Sequence, residues 1–452
     1  MCNIDDEFKK GDFYMRRYGN IITEDTVTLS LCYEAILSAA QHKRHRKDVQ
    51  NVLSHIKDRG FELQKMILEM TWYPRPYQVE TIIERGKERE ITKPVFWPDQ
   101  CVHHLMILVA GPIFAARIHP FAIGSIPGRG AAMGIRLLRK WLRRTKHKNK
   151  VRYCIKCDIR HCYPSLKREV VLYHLERYFF KDPKYLELWR RVLSSCEYLA
   201  LGNFTSTFLL NLIFSRVDGL LSDRKTVTYF VRYIDDFVIF GKNKRKLRRL
   251  FKEEFIPMLD EEFGLEIKPD WVLFEPKPYG PGVRSIDFLG FKFYGDGKMG
   301  LRKRNWKKIR RDSLRLKRSN GVYSFKRCAS IISRKGMLEQ IFCRKYIEDY
   351  ELQAIVWKIK KEIRRKLSKV EPFCLCGFMV SNQIRAMFEG VLNYKVRDHL
   401  DRYKRFVLGK KRYLPGPIDR EKEAKKKQRE LEHRIVRRKA KKKKFIRGKR
   451  IR

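Results

Sequence analysis

The sequence predicts an α+β fold, an antiparallel sheet with helices packed on one face. Two stretches carry that reading: "VRYCIKCD" and "VTYFVRYIDDFVIFG" alternate apolar, aromatic and β-branched residues as half-buried strands do. The second folds back on itself at a pair of aspartates. Helical patterns separate and follow these strands, so the chain runs strand, helices, hairpin, helix, strand, an order that suits a sheet with a helical layer.

Taken in order, residues 1–28 show no periodicity and are expected to form an N-terminal arm. From Leu29 to about Met70, apolar residues recur three and four positions apart (Leu31, Ala35, Ile36, Ala39, then Val49, Val52, Leu53, Ile56), which reads as helices. "TWYPRPYQVETIIERGKEREITKPVF" changes to a strand pattern with turn residues, a hairpin carrying Arg85, Gly86, Lys87 and Arg89 at its tip. A helix from about Pro98 to Ala116, the Gly-rich loop "IGSIPGRG" and a basic helix "AAMGIRLLRKWLRR" come next.

In "VRYCIKCDIRHCYPSL" a strand of about eight residues puts Val151, Tyr153, Ile155 and Cys157 on one face; it ends at Asp158, and Pro164 bars its continuation. Helices are expected at about 167–180 and 183–197, then a loop running into a helix in "LGNFTSTFLLNLIFSRVDGLL". The aspartate hairpin follows, with its tight turn at Asp235 and Asp236. After it come a helix at about 244–263, the strand "LEIKPDWVLF" and "SIDFLGFKFY". Beyond about residue 300 the chain reads as helical and more basic. The last thirty or so residues lack an apolar face wide enough for a core, and read as a solvated helix or a basic tail that orders on nucleic acid.

The chain has 452 residues, enough for two or three packed units, and 43% of them are hydrophobic, which supports a globular protein. Against 51 Asp+Glu stand 102 Lys+Arg, a formal charge of +51, which points to a polyanionic partner, with nucleic acid ahead of an acidic membrane surface. A ribosomal or packaging protein shares such a charge, so charge alone does not name an enzyme. Eleven cysteines without framework spacing, behind a polar N-terminus with no secretory leader, indicate a reducing, cytoplasmic setting. No apolar run reaches membrane-spanning length, and "HLMILVAGPIFAA" is broken by Gly and Pro as a core helix is; no membrane partner is expected.

An acidic pair at a hairpin tip is by itself an ordinary turn. Asp158 changes its meaning, because it too ends an apolar strand, where a buried carboxylate needs a cation. Three carboxylates delivered from adjacent strand ends make an oxygen-rich site for two magnesium ions, with manganese as the alternative. Such ions lie about 3.5–4 Å apart and clamp the attacking and leaving oxygens of a phosphoryl transfer. Asp158 and Asp235 are expected to bind metal directly and Asp236 to support the site or the second ion, with the metals rather than salt bridges compensating the charge.

At these residues the chain resembles the reverse transcriptases. "CDIRHCYPSL" and "RYIDDFVIF" resemble the first and third palm motifs, "LGNFTSTFLLN" the one between them, and "IDFLGFKF" the one that grips the primer. "GKEREI", "PDQCVHHLMILVAGPIF" and "SIPGRGAAMGIRLLRKWLR" look like finger segments of prokaryotic members, especially those of diversity-generating retroelements; the resemblance covers about residues 30–330. It implies a right-hand polymerase fold: arm 1–28, fingers 29–150, palm 151–300, helical thumb and extension 301–400, basic tail 401–452. It also implies an RNA template, a DNA product and deoxynucleotide substrates, a cognate noncoding or template RNA, and room for an accessory protein or a homo-oligomer.

The resemblance assigns roles residue by residue. Tyr163 matches the aromatic gate against a ribose 2′-hydroxyl, and Ile159 stands with it in the nucleotide site. Lys87 and Arg89 match the finger-tip cations that grip triphosphate. Gly202, Thr205 and Ser206 match the loop beneath the nascent base pair; Gly128, Arg129 and Gly130 match a loop that approaches template phosphate. Phe288, Leu289 and Gly290 match the primer grip. Two departures stand out. Ala200-Leu201-Gly202 replaces the usual Pro-Gln-Gly, a loss that accompanies error-prone copying in the retroelement-diversifying enzymes. Trp271 replaces a lysine expected after the hairpin, with Lys268 nearby, which leaves the proton donor to pyrophosphate unassigned.

Cys154 and Cys157 form a CxxC, but residues three apart on a strand point to opposite faces, and "CLC" at Cys374–Cys376 is too tightly spaced for zinc. His103 and His104 are adjacent on a helix and diverge. Gly128-Arg129-Gly130 lacks the Lys-Ser/Thr of a phosphate loop. The leading expectation is thus an RNA-directed DNA polymerase of a diversity-generating retroelement. Behind it stand an antiphage defence enzyme with a dedicated noncoding RNA, retron- or intron-like synthesis, a non-catalytic RNA-binding relative, and a basic structural protein of a ribonucleoprotein.

Overall fold

A computed structural model describes residues 17–41, 43–44, 46–84, 87–126, 129–143, 149–318, 334–341 and 348. The expectations for the tail, for most of the extension beyond 318, and for Arg85, Gly86, Gly128 and the "CLC" stretch lie outside them.

Three helices open the described chain: α1 (Leu29–Ala39), capped by the Thr28 hydroxyl, α2 (Lys47–Ser54) and α3 (Ile56–Leu68). Residues 17–28, read as an arm, are instead built into the core: Ile21, Ile22 and Val27 are buried, and the Ile21 and Ile22 N–H groups both donate to Asp182 Oδ2. A carboxylate more than 150 residues away satisfies that backbone, which no local period announces. Strands β1 (Gln78–Glu84) and β2 (Lys87–Lys93) form a hairpin with Glu84 opposite Lys87. The helix expected from Pro98 to Ala116 is two, α4 (Cys101–Val109) and α5 (Gly111–Arg117), bent by 58° where Gly111 and Pro112 interrupt the ladder. No single helix among the described residues is long and apolar enough to cross a membrane.

Helix α6 (Ala131–Arg143) precedes β3 (Tyr153–Asp158), which is six residues long. Val151 lies before it in a 3₁₀ turn and packs in a different cluster from Ile155 and Cys157, so only part of the expected face is shared. A short turn of helix α7 (Cys162–Ser165), α8 (Arg168–His174), α9 (Pro183–Ser194), α10 (Phe204–Ile213) and α11 (Ser215–Asp223) follow. Then come β4 (Val227–Tyr233), β5 (Asp236–Gly241), α12 (Lys244–Leu250), α13 (Ile256–Phe263) and β6 (Val272–Phe274). The strand read in "LEIKPDWVLF" is shortened to its last residues, with Ile267 making only an isolated bridge to Ile159. Strands β7 (Ile286–Phe288), β8 (Phe291–Phe293) and β9 (Met299–Leu301) and helix α14 (Lys303–Arg318) follow, and residues 334–340 are again helical.

The central sheet is antiparallel in the order β4-β5-β3-β6. Strand alternation divides its side chains between two cores. Ile155, Cys157, Phe230, Phe237 and Ile239 face the helical layer of α10 to α13, where the Phe237 ring meets Phe255 edge-on at 5.3 Å. Cys154, Val231, Val238 and Phe240 face the other way, under α6 and the three-stranded sheet β7-β8-β9; there Trp141 of α6 stacks on Tyr229 at 4.8 Å. Helices thus cover one face as expected, and the second face is covered too. Cys154 and Cys157 fall into opposite cores, as the strand period requires. The arrangement is the α+β right-hand polymerase fold.

Candidate active site

Two strands end side by side at the carboxylates. In the β3–β5 ladder Asp158 stands directly opposite Asp236. Asp236 is also paired with Tyr233 across the hairpin, so the tight turn is Ile234–Asp235, one residue earlier than expected. Ile234 holds φ at 60°, a conformation that costs a β-branched residue on the order of 1–3 kcal/mol and persists only when its surroundings dictate it.

Those surroundings are specific. The Arg232 guanidinium, fully buried, donates to Asp218 Oδ1 and Oδ2 at 2.8 and 2.6 Å, to Asn211 Oδ1 at 2.9 Å and to the Ile234 carbonyl at 3.1 Å. The Asn211 amide in turn donates to the Gly124 carbonyl at 3.0 Å. Gly124 lies so close to the turn that a Cβ there would stand 2.5 Å from both the nitrogen and Cγ1 of Ile234. From the other strand the Ile159 N–H donates to the Asp235 carbonyl at 3.0 Å. A buried cation, a close glycine and a main-chain bond together fix the turn that presents Asp235.

The charges are compensated differently from the sequence expectation. Lys156, two residues before Asp158, forms an ion pair with Asp236, and Lys268 reaches Asp158 Oδ1 at 2.6 Å while its own N–H donates to the Asp158 carbonyl at 2.9 Å. Salt bridges therefore stand where metals alone were expected. Among the described residues no group of three or more His, Cys, Asp or Glu side chains is gathered as a metal site, and two of the three carboxylates are paired with lysines. Asp235 has no ion pair among the described residues. Burial, then the Asp158 charge, raises its pKa; burial likewise raises that of Asp236, with Asp158 and Asp235 adding to the shift and Lys156 opposing it. An oxygen-only donor set whose mutual repulsion a cation would relieve fits a hard divalent ion.

Other expected residues divide. Tyr163 sits on α7 just past the β3 end, and its hydroxyl donates to Thr207 Oγ1 on α10 at 3.3 Å. Gly202 has φ of 107°, and its loop is tied to the finger hairpin by Thr92 N–H and hydroxyl bonds to the Leu201 carbonyl at 2.8 and 2.9 Å. Lys87 begins β2 and Arg89 lies two residues further, opposite Ile82. Leu289 and Gly290 form the β7–β8 turn with φ of 54° and 86°, the two positive angles of a tight hairpin.

Five residues are corrected. The Ile159 side chain is fully buried and its N–H is spent on Asp235, so it supports the turn rather than a nucleotide. Arg129 does not reach outward; its guanidinium donates to the carbonyls of His119 at 2.6 Å and Ala122 at 2.9 Å, bracing the loop after α5. Thr205 and Ser206 are buried in the first turn of α10, where the helical period turns them inward and leaves Phe204 and Thr207 partly exposed. Phe288 is likewise core, leaving the turn after it as the part of that motif open to a primer. Sequence reasoning missed Lys156, Arg232, Asn211 and Gly124. The signal was present for two of them, a lysine and an arginine inside otherwise apolar strands.

Comparison with known proteins finds one family match, and it spans these residues. The family model for reverse transcriptase (RNA-dependent DNA polymerase) matches residues 101–293. No curated protein sequence matches the chain. Among solved structures the chain is similar to apo telomerase from Candida tropicalis truncated from its C-terminal domain, at 14% identity over 50% of this chain and 55% of that one, TM-score 0.37. It is also similar to Candida albicans telomerase in complex with the TWJ fragment of telomeric RNA, at 13% identity over 69% of this chain and 64% of that one, TM-score 0.39. The chain thus spans less than two thirds of either relative. What ends at Asp158 and turns at Asp235 lies within the matched span, and residues 101–293 are a reverse transcriptase domain, that of an RNA-directed DNA polymerase with nucleotidyltransferase chemistry.

Proposed function

We propose that the whole chain copies an RNA template into DNA, and that Asp158, Asp235 and Asp236 are its catalytic carboxylates. The observation that carries this reading is the register: Asp158 opposite Asp236 at adjacent strand ends, with Asp235 held in the turn beside them. Asp158 and Asp235 would hold a pair of magnesium ions, replaceable by manganese, with Asp236 in support. Bound there, the ions supply Lewis-acid charge for the attacking 3′-hydroxyl and the leaving pyrophosphate. The chain's own part is positioning. Tyr163 closes the site against a 2′-hydroxyl, Gly202 lets backbone approach the nascent pair, and Lys87 and Arg89 on the hairpin meet the triphosphate. Lys268, held against Asp158 at 2.6 Å, is a candidate for the protonation role that Trp271 lacks.

Within this class the leading role is mutagenic copying in a diversity-generating retroelement, in the cytoplasm and on a cognate template RNA. Leu201 favours it, since an aliphatic side chain supplies no amide to the incoming nucleotide. Antiphage defence with a dedicated noncoding RNA uses the same chemistry and is the second reading. The deciding experiment is primer extension on poly(rA)/oligo(dT) with magnesium and dTTP, beside Asp235→Asn. Extension lost in the variant supports the polymerase; extension equal in both removes these carboxylates from catalysis. Sequencing cDNA from a mixed-sequence template then separates the roles, since ordinary fidelity would remove the diversifying one.

A further inference from the structure

The end of the central sheet away from the carboxylates carries a concentration of charge that catalysis does not use. Asp158 and Asp236 mark one end of the β3–β5 ladder; at the other, Gly241 pairs with both Tyr153 and Val227, so three strands terminate together. Five residue steps of about 3.3 Å separate the two ends, roughly 16 Å. The chain entering or leaving each of these strands is basic. Lys150 and Arg152 lead into β3, Lys225 leads into β4, and β5 runs straight into "KNKRKLRR", Lys242 to Arg249, in which six of eight residues are cations and none is acidic. Thr228 Oγ1 donates to the Lys150 carbonyl, which ties the approaches to β3 and β4 together.

Folding does not ask for this pattern. Lys244, Arg245, Lys246 and Arg248 are exposed around α12, whose buried contacts come from Leu247 and Leu250. Lys244 and Arg248 are like charges at i,i+4, a spacing that destabilises a helix by about 0.2–0.5 kcal/mol. Arg224 and Arg249 are paired with Glu254 and Glu253, whereas no ion pair of Lys242, Lys244, Arg245, Lys246 or Arg248 is found among the described residues. Within Lys244–Leu250 every charged residue is a cation, and the acidic residues Glu253 and Glu254 follow only in the next turn, where they pair Arg249 and Arg224. The large exposed apolar side chains lie elsewhere, among them Phe61, Tyr73, Val79 and Ile83, so nothing in the patch would enter a bilayer. A cation surface without apolar anchors, in which Lys242, Lys244, Arg245, Lys246 and Arg248 make no ion pair among the described residues, matches a phosphate backbone.

We infer that this end of the sheet is a second nucleic-acid surface, separate from the catalytic cleft, that takes duplex RNA by its phosphates. It lies roughly 16 Å along the sheet from Asp158 and Asp236, so on this inference a folded part of an RNA docks here while another part is copied. The inference does not depend on polymerase activity.

The test uses the full chain, a fluorescently labelled RNA duplex of about 20 base pairs and a quadruple variant, Lys244→Ala, Arg245→Ala, Lys246→Ala, Arg248→Ala. Alanine is a stronger helix former, so α12 is retained. A control variant removes four exposed cations from other elements, Lys57→Ala, Lys65→Ala, Lys167→Ala and Arg177→Ala. The expected result is a loss in duplex affinity of about tenfold or more and a salt slope shallower by about 3 for the patch variant alone, with poly(rA)/oligo(dT) extension unchanged. Unchanged duplex affinity overturns the inference, as does an equal loss in the control, which would reduce the patch to general charge. Loss of extension in parallel would place it on the primer–template path, and loss of binding to phosphatidylserine vesicles alone would make it a membrane surface. A wild-type chain that extends no primer would sink the polymerase reading, while the duplex titration would still decide this one.

Discussion

Asp158 and Asp236 face each other across the β3–β5 ladder, and each is held by a lysine, Lys268 for the first and Lys156 for the second. Like charges directly opposite in a sheet repel. The two lysines therefore hold together a site whose carboxylates would otherwise push the strand ends apart. Lys156→Ala is expected to lower stability by about 1–3 kcal/mol, since one buried partner is left with unpaired charge. Magnesium should restore part of that loss in the variant and shift wild type less. Urea unfolding with and without the metal checks both; equal shifts would mean that the ion does not take the place of the lysine.

Asp158→Asn, Asp235→Asn and Asp236→Asn are each expected to abolish measurable primer extension, a fall of about 10²-fold or more, and to leave RNA affinity within about threefold. Asp235→Asn should also leave folding intact, because among the described residues Asp235 has no ion pair to lose. Extension and filter binding on the same preparations separate chemistry from binding.

Arg232 and Asp218 are both fully buried, and four hydrogen bonds converge on that guanidinium. Asp218→Asn would strand a buried cation and is expected to cost about 3–5 kcal/mol. Gly124→Ala tests the turn more gently: the added methyl meets Ile234, so extension should fall by about tenfold or more while thermal stability drops by about 1–3 kcal/mol. A Gly124→Ala enzyme of full activity would show that the close approach does not position Asp235.

Tyr163→Ala is expected to raise incorporation of ribonucleotides relative to deoxynucleotides by about 10–200-fold, the range a single steric contact supplies. Competing rTTP and dTTP on one template measures the ratio directly, and an unchanged ratio would return Tyr163 to a packing role beside Thr207.

His103 is fully buried with only Tyr77 Oη near its Nε2, at 3.1 Å, and burial pushes its pKa down to about 3. The folded state thus refuses a proton that the unfolded chain accepts near pH 6.5, so stability is complete above that pH and is lost as pH falls toward 3. The loss accumulated by pH 4.5, relative to neutral pH, is about 3 kcal/mol. His103→Gln should flatten the pH dependence of unfolding between pH 6.5 and 4.5. Parallel curves for variant and wild type would show that the imidazole is not what titrates. Burial lowers His104 and His174 in the same sense, so the slope falls without vanishing.

The sequence by itself determined most of the elements and where the carboxylates fall along them. Strand alternation around "YCIKCD" and "FVRYIDDFVIF" places carboxylates at strand ends, and a strand period is a local property that survives without knowledge of its partners. The four polymerase-like motifs follow one another along the chain, so they were equally legible. Tertiary structure alone decided what those carboxylates meet. Lys156 is local in sequence, yet its partner Asp236 lies 80 residues away; Lys268 lies 110 residues from Asp158; and Gly124 approaches Ile234 only because the segment after α5 lies along β4. Thr205, Ser206, Phe288 and Arg129 carry motif identities that do not reveal which side of a helix, strand or loop is covered. That covering depends on neighbours from other parts of the chain, because burial and ion pairing are properties of packed surfaces and not of the residues that form them.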